Sequence, residues 1–163
     1  MQPTPKDAVE ELTREAVREV FNTMLGLEME HDEPLPLACS DRGQIIGAVG
    51  FVGQANGVIC LNASIDFARM IASRMLGITE AEVDEGDMIN DVFGELGNVV
   101  VGSVKSRLCD RGWPCTLTIP SIVRGNQLSV ESVADAASSI IGFRTGDQRL
   151  IVEMLIKSPQ VQA

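Results

Sequence analysis

Between Asp84 and Leu108 the chain reads DEGDMINDVFGELGNVVVGSVKSRL. Glu95 and Asn98 stand one helical turn apart in it, with Gly94 just before them and Gly102 one turn beyond Asn98. A carboxamide both donates and accepts hydrogen bonds, so Asn98 can orient a water molecule without becoming charged or covalently modified. The Glu95 carboxylate can pair with a cation on a partner and fix its approach. Neither is a strong nucleophile or base, so the chemistry in reach is assistance to a hydrolysis whose other components arrive in trans. E-x-x-N by itself is a pattern that any helix face can produce. Its glycines set this copy apart, because an interior glycine costs a helix ~1 kcal/mol relative to alanine, and Gly94, Gly97 and Gly102 all lie inside the segment.

On a helical wheel Met88, Ile89, Val92, Phe93, Leu96, Val99, Val100 and Val104 form one broad apolar face. Asp87, Asp91, Gly94, Glu95, Asn98, Gly102 and Lys105 gather on the other. With no bulky neighbour at Gly94 or Gly102, this second face reads as a shallow docking strip, in which Asp91, Gly94, Gly102 and Lys105 surround the Glu95/Asn98 pair. Gly97 points elsewhere and reads as the contact for a second helix.

Other clusters carry weaker chemistry. Asp84, Glu85, Asp87 and Asp91 are explained by the macrodipole at a helix start, so no metal site is expected. Gly47, Gly50 and Gly53 lack the Lys-Ser/Thr of a phosphate loop and read as a bend or a close helix contact. His31 has no nucleophile beside it in sequence, and Cys39, Cys60, Cys109 and Cys115 lack C-x-x-C spacing, so reduced, buried thiols are expected. Met70, Met75 and Met88 read as core fillers.

Several elements must hold the strip in place. Leu12, Ala16, Val20 and Met24 recur at helical spacing from Asp7 to about Leu25, with Gly26 as the stop. A loop with Pro34 and Pro36 follows. Two apolar runs, QIIGAVGFVG and VICLN, flank Asn56-Gly57 and predict a β-hairpin turning there. Ser64 is the N-cap of a helix ended by Gly77, Thr79 and Glu82 have capping-box spacing, and the long helix runs from about Asp84 to Asp110. CTLTIPSIV, SSIIGFRT and RLIVEMLI are strand-like, with Pro120 marking a bulge or a sheet edge. Short links between strands favour antiparallel neighbours, so the expected fold is α/β of the α+β kind: a largely antiparallel sheet packed with long helices. A single domain over the 163 residues is expected, with about 1–6 and 158–163 as flexible termini.

Thirteen Lys+Arg against 23 Asp+Glu give a net charge of −10. A body this acidic is repelled by phosphate backbones and anionic lipid, which argues against nucleic-acid binding and membrane association. No apolar run is long enough to span a bilayer and no leader is apparent, so a cytoplasmic protein is expected.

Glu95-Leu96-Gly97-Asn98, Val99-Val100-Val101-Gly102 and Leu117-Thr118-Ile119-Pro120-Ser121-Ile122-Val123-Arg124-Gly125 together resemble the CheX branch of the CheC/CheX/FliY chemotaxis phosphatases. The segment from Val20 to Glu28 and the strand from Gly47 to Gly53 fit as well, so the likeness covers most of the chain. The resemblance implies a CheC-like/CheX-like fold and hydrolysis of the phosphoaspartate on a CheY-like response regulator. It gives Asn98 the positioning of the attacking water and Glu95 the pairing with the regulator's Lys. It implies no cofactor in this chain, the Mg²⁺ belonging to the regulator, and a homodimer joined through strands. Relatives with two active helices make Glu19, Asn22 and Gly26 a candidate second copy. Arg18 and Phe21 stand where the central copy has Gly94 and Gly97, so this copy reads as degenerate. The alternative from another class is a non-catalytic regulator-binding adaptor or a FliM-like flagellar switch scaffold.

Overall fold

The computed structural model describes residues 4–38, 41–131 and 135–157. Helix α1, Pro5–Leu25, begins where the Thr4 hydroxyl accepts the Asp7 N–H at 3.2 Å and ends at Gly26, whose φ of +64° is left-handed. It therefore starts two residues before Asp7, and Pro5 and Lys6 belong to its first turn. A short strand β1, Glu30–Asp32, follows where a loop is expected, and pairs with a later strand.

Strands β2, Gln44–Gly53, and β3, Asn56–Ser64, form the expected antiparallel hairpin, but it turns at Gln54-Ala55. Asn56 closes that turn with its side chain, Oδ1 accepting from the Gly53 N–H at 3.0 Å and Nδ2 donating to the Gly53 carbonyl at 3.1 Å. Gly57 owes its identity to packing, since a Cβ there would lie 2.6 Å from the Phe51 ring and 2.5 Å from the Leu155 carbonyl oxygen. Ser64 caps helix α2, Ile65–Leu76, with its hydroxyl 3.0 Å from the Phe67 N–H, and Gly77 ends it. A 3₁₀ turn, Glu80–Glu82, carries the Thr79/Glu82 capping box.

Helix α3 runs Asp87–Asp110, three residues shorter at its start than the acidic run implied. The Asp84 carboxylate accepts the Gly86 N–H at 3.4 Å, while the Glu85 carboxylate is held by Arg42 at 2.8 Å and by Arg69. These ties keep residues 84–86 out of the helix. Beyond α3 come β4, Cys115–Leu117; β5, Ser121–Gly125; β6, Ala136–Thr145; and β7, Gln148–Lys157.

All seven strands form one antiparallel sheet in the order β1-β6-β7-β3-β2-β4, with β5 pairing β2 alongside β4. Leu117 faces Phe51 and Ser121 faces Ala48, so Thr118, Ile119 and Pro120 span the two residues Val49 and Gly50. The extra residue is a β-bulge, where Pro120 was expected to mark one. Thr118 pins it: its hydroxyl accepts the Gly50 N–H and its own N–H donates to the Gly50 carbonyl, both at 2.9 Å.

One hydrophobic cluster joins the three helices to the sheet, with Phe21, Phe67, Phe93, Leu96, Val100, Ile59, Leu61 and Val152 among its fully buried members. Met70, Met75 and Met88 pack partly buried against it. Gly47 is the predicted close helix contact, the Phe93 ring lying 3.1 Å from where its Cβ would be. Gly97 packs on the sheet, with Val49 Cγ2 3.4 Å from where its Cβ would be, rather than on a second helix.

Candidate active site

Helix α3 is held at both ends. At its start the Arg124 guanidinium, from β5, donates to the carbonyls of Glu85 and Gly86 and to Asn90 Oδ1, the last at 3.4 Å. Near its end Arg107 binds Glu15 at 2.9 Å and also Glu19, both on α1. Between these clamps Glu95 is exposed and Asn98 half-buried. Among the described residues neither side chain makes a hydrogen bond or an ion pair, so both keep their full hydrogen-bonding capacity for something outside the chain.

The two residues share a shallow depression of about 250 Å³. Asn90, Asp91, Gly94, Glu95 and Asn98 form its helix wall, and Pro120 and Ile122 form the facing wall. One wall is thus polar and the other apolar. Of the four residues expected around the pair, Asp91 and Gly94 line this depression, whereas Gly102 and Lys105 lie farther along α3, outside it.

The glycines require a correction. Gly94 is buried and does have bulky neighbours, with Ile122 Cδ1 3.7 Å and Pro120 Cγ 3.8 Å from its would-be Cβ, and Gly102 faces Leu117 Cδ1 at 3.9 Å. The strip is therefore overlain by the β4–β5 segment instead of being bare helix. Yet these are ordinary contact distances, so a methyl group fits at both positions. Among the described residues no close contact at either position offsets the ~1 kcal/mol that each glycine costs the helix. At Gly94, the missing methyl leaves the depression wider beside Glu95.

The second copy is differently placed. Glu19 is bound to Arg107, and Gly26 lies past the helix end as its left-handed cap, whereas Gly102 sits inside α3. Asn22 is exposed and lines a separate depression with Arg18, Glu28 and His31.

Sequence reasoning missed Asn90, Ile122 and Arg124 as parts of the site. Ile122 and Arg124 share one signal, the bulged strand: once Pro120 offsets the alternation, both fall on the face turned toward α3, whereas Asn90 lies on α3 itself, one turn before Gly94. Among the described residues no group of three or more His, Cys, Asp or Glu side chains is placed to hold a metal ion, and no helix is long and apolar enough to cross a membrane. Cys39 lies outside the described residues; Cys60 and Cys115 are buried free thiols and Cys109 is half-buried. Burial pushes the Cys60 thiol up to about 11, with the Glu153 charge adding to the effect.

An antiparallel sheet packed with long helices is an architecture this chain shares with proteins of known structure. CheX from Vibrio vulnificus shares the fold with a TM-score of 0.80 at 22% identity, covering 96% of this chain and 100% of that one. The CheX of the CheX-CheY-BeF3-Mg complex from Borrelia burgdorferi superposes with a TM-score of 0.76 at 21% identity, over 92% and 98% of the two chains. The chain belongs to the chemotaxis phosphatase CheX family, whose model matches residues 45–144. The CheY-P phosphatase CheX of Thermotoga maritima is 26% identical over 119 residues, 72% of this chain and 76% of that protein. Membership makes this chain a phosphatase, and the matched region contains the whole of α3 and the bulge.

Proposed function

We propose that this phosphatase hydrolyses the phosphoaspartate of a CheY-like response regulator, with α3 entering the regulator's active site. The Asn98 carboxamide holds a water in line with the phosphorus. The water oxygen forms the new P–O bond as the bond to the aspartyl oxygen breaks, releasing inorganic phosphate and restoring the aspartate carboxylate. Glu95 pairs with a regulator lysine and fixes the register of the two proteins. The catalytic contribution is arrangement rather than acid–base chemistry, which suits a phosphoryl transfer whose demands are mainly positional and electrostatic. Mg²⁺ in this reading belongs to the regulator. The observation that carries the reading is the unpaired state of Glu95 and Asn98, side by side in a depression whose polar wall lies on α3.

Asn98→Ala tests it. Receiver domains phosphorylated with acetyl phosphate are screened for accelerated phosphate loss, and on the best substrate the variant should be about 100-fold slower, the scale of loss that misplacement of a reacting group produces. Unchanged turnover removes the water-positioning role. The same reading places the chain in the cytoplasm and pairs it with a second copy through strands. Light scattering at working concentration should then report twice the chain mass, and a monomer overturns the pairing.

A further inference from the structure

Docking of α3 on a phosphorylated receiver meets an energetic difficulty. The chain carries a net charge of −10, and Asp87, Asp91 and Glu95 are exposed on the site face of α3. A phosphoaspartate adds further negative charge to the surface that must approach it. The regulator's Mg²⁺ and lysine offset part of that charge at the reacting centre, but a single Glu95–lysine pair at an exposed position gives little in return for the rest of the surface. Apolar contact beside the site adds a favourable term that does not depend on the partner's charge.

The structure offers that contact at one place beside the site. Ile119, on the bulge, is 86% exposed, more than any other large apolar residue among those described. Its neighbour Pro120 forms part of the wall facing Glu95 and Asn98. The bulge is stiff, because Thr118 is bonded twice to Gly50 and Pro120 restricts the backbone. Gly50 is part of the device: a Cβ there would lie 3.0 Å from Thr118 Oγ1. Because the backbone beneath Ile119 is already ordered in the free protein, covering the residue costs only its side-chain freedom, and less of the burial is offset.

Building on the phosphatase reading, we propose that the Thr118–Pro120 bulge is a docking knob, with Ile119 seated in an apolar contact on the receiver domain beside its phosphoaspartate. Glu95 and Asn98 act on the reacting centre, and Ile119 sets how tightly, and which, receiver is held.

The test uses the full chain and the receiver whose phosphate loss it accelerates most. Ile119→Ser should raise the half-saturating receiver concentration about tenfold, equivalent to ~1.4 kcal/mol, with the rate at saturation within twofold of wild type and the melting temperature unchanged. Leu35→Ser removes another exposed apolar side chain, 58% exposed on the loop after β1, and should leave both kinetic values alone. Half-saturation unchanged in Ile119→Ser overturns the knob while Asn98→Ala still reports separately on catalysis. If wild type accelerates no receiver, the catalytic reading falls. Binding to the same receivers loaded with beryllofluoride then decides: a tenfold weaker Ile119→Ser upholds the knob, and equal or absent binding overturns it.

Discussion

Asn98 and Glu95 sit one turn apart but differ in access, half-buried against exposed. A half-buried carboxamide is restrained by its surroundings, which suits a group that must hold water in one orientation. An exposed carboxylate can reach outward to a partner's cation. Reversing the Glu95 charge should therefore act on binding more than on the chemical step. Glu95→Lys is expected to raise the half-saturating regulator concentration tenfold or more through like-charge repulsion, with its own fold intact since Glu95 bonds nothing within the described chain. Saturation kinetics that match wild type would sink the pairing. Glu19, the corresponding residue on α1, is committed to Arg107 and contributes to docking α1 on α3.

At the scale of elements, α3 and the bulged edge of the sheet make the site jointly. Gly94 separates two of their demands. An alanine Cβ there meets Ile122 at 3.7 Å, so Gly94→Ala should stabilise the fold by up to ~1 kcal/mol through helix propensity while slowing regulator turnover by narrowing the depression. Thermal unfolding and turnover should move in opposite directions, and a variant that is both less stable and fully active would refute this account. The helix, the placement of Glu95 and Asn98 together on its open face, and the bulge were legible in the sequence, because periodicity, E-x-x-N spacing and a proline in a strand are local signals. What covers Gly94 was not, since the approach of β5 depends on pairing with β2, across more than seventy residues of chain. The Gln54-Ala55 turn was hidden for a different reason: Asn56-Gly57 mimics a turn pair, but here the asparagine caps the loop from inside β3 and the glycine makes room for Phe51.

At the scale of the whole molecule, stability should depend on pH through residues remote from the site. Burial raises the Glu153 carboxyl above its ordinary range, on a strand where it lies opposite Cys60 and Ile140. A raised folded value means that stability is fully present below the ordinary glutamate range and is lost as pH climbs through the folded value. Glu153→Gln should thus raise the melting temperature at pH 7 and change it little at pH 4; an equal shift at both pH values would contradict this origin. Asp32 behaves oppositely. The bond from Arg149, at 2.9 Å, holds its carboxyl below the usual range, and that contribution disappears as pH falls through the lowered value.

The bulge also has a modular side. Between Leu117 and Ser121 the edge carries three residues against two, Val49 and Gly50, on β2. Deleting Ile119 should close that mismatch into a regular ladder with Ile122 and Arg124 still directed at α3, and a deletion variant with a much lower melting temperature would show that the register depends on the extra residue. The most exposed large apolar side chain among the described residues thus stands on one residue in excess of the ladder, apart from the helix that carries Glu95 and Asn98.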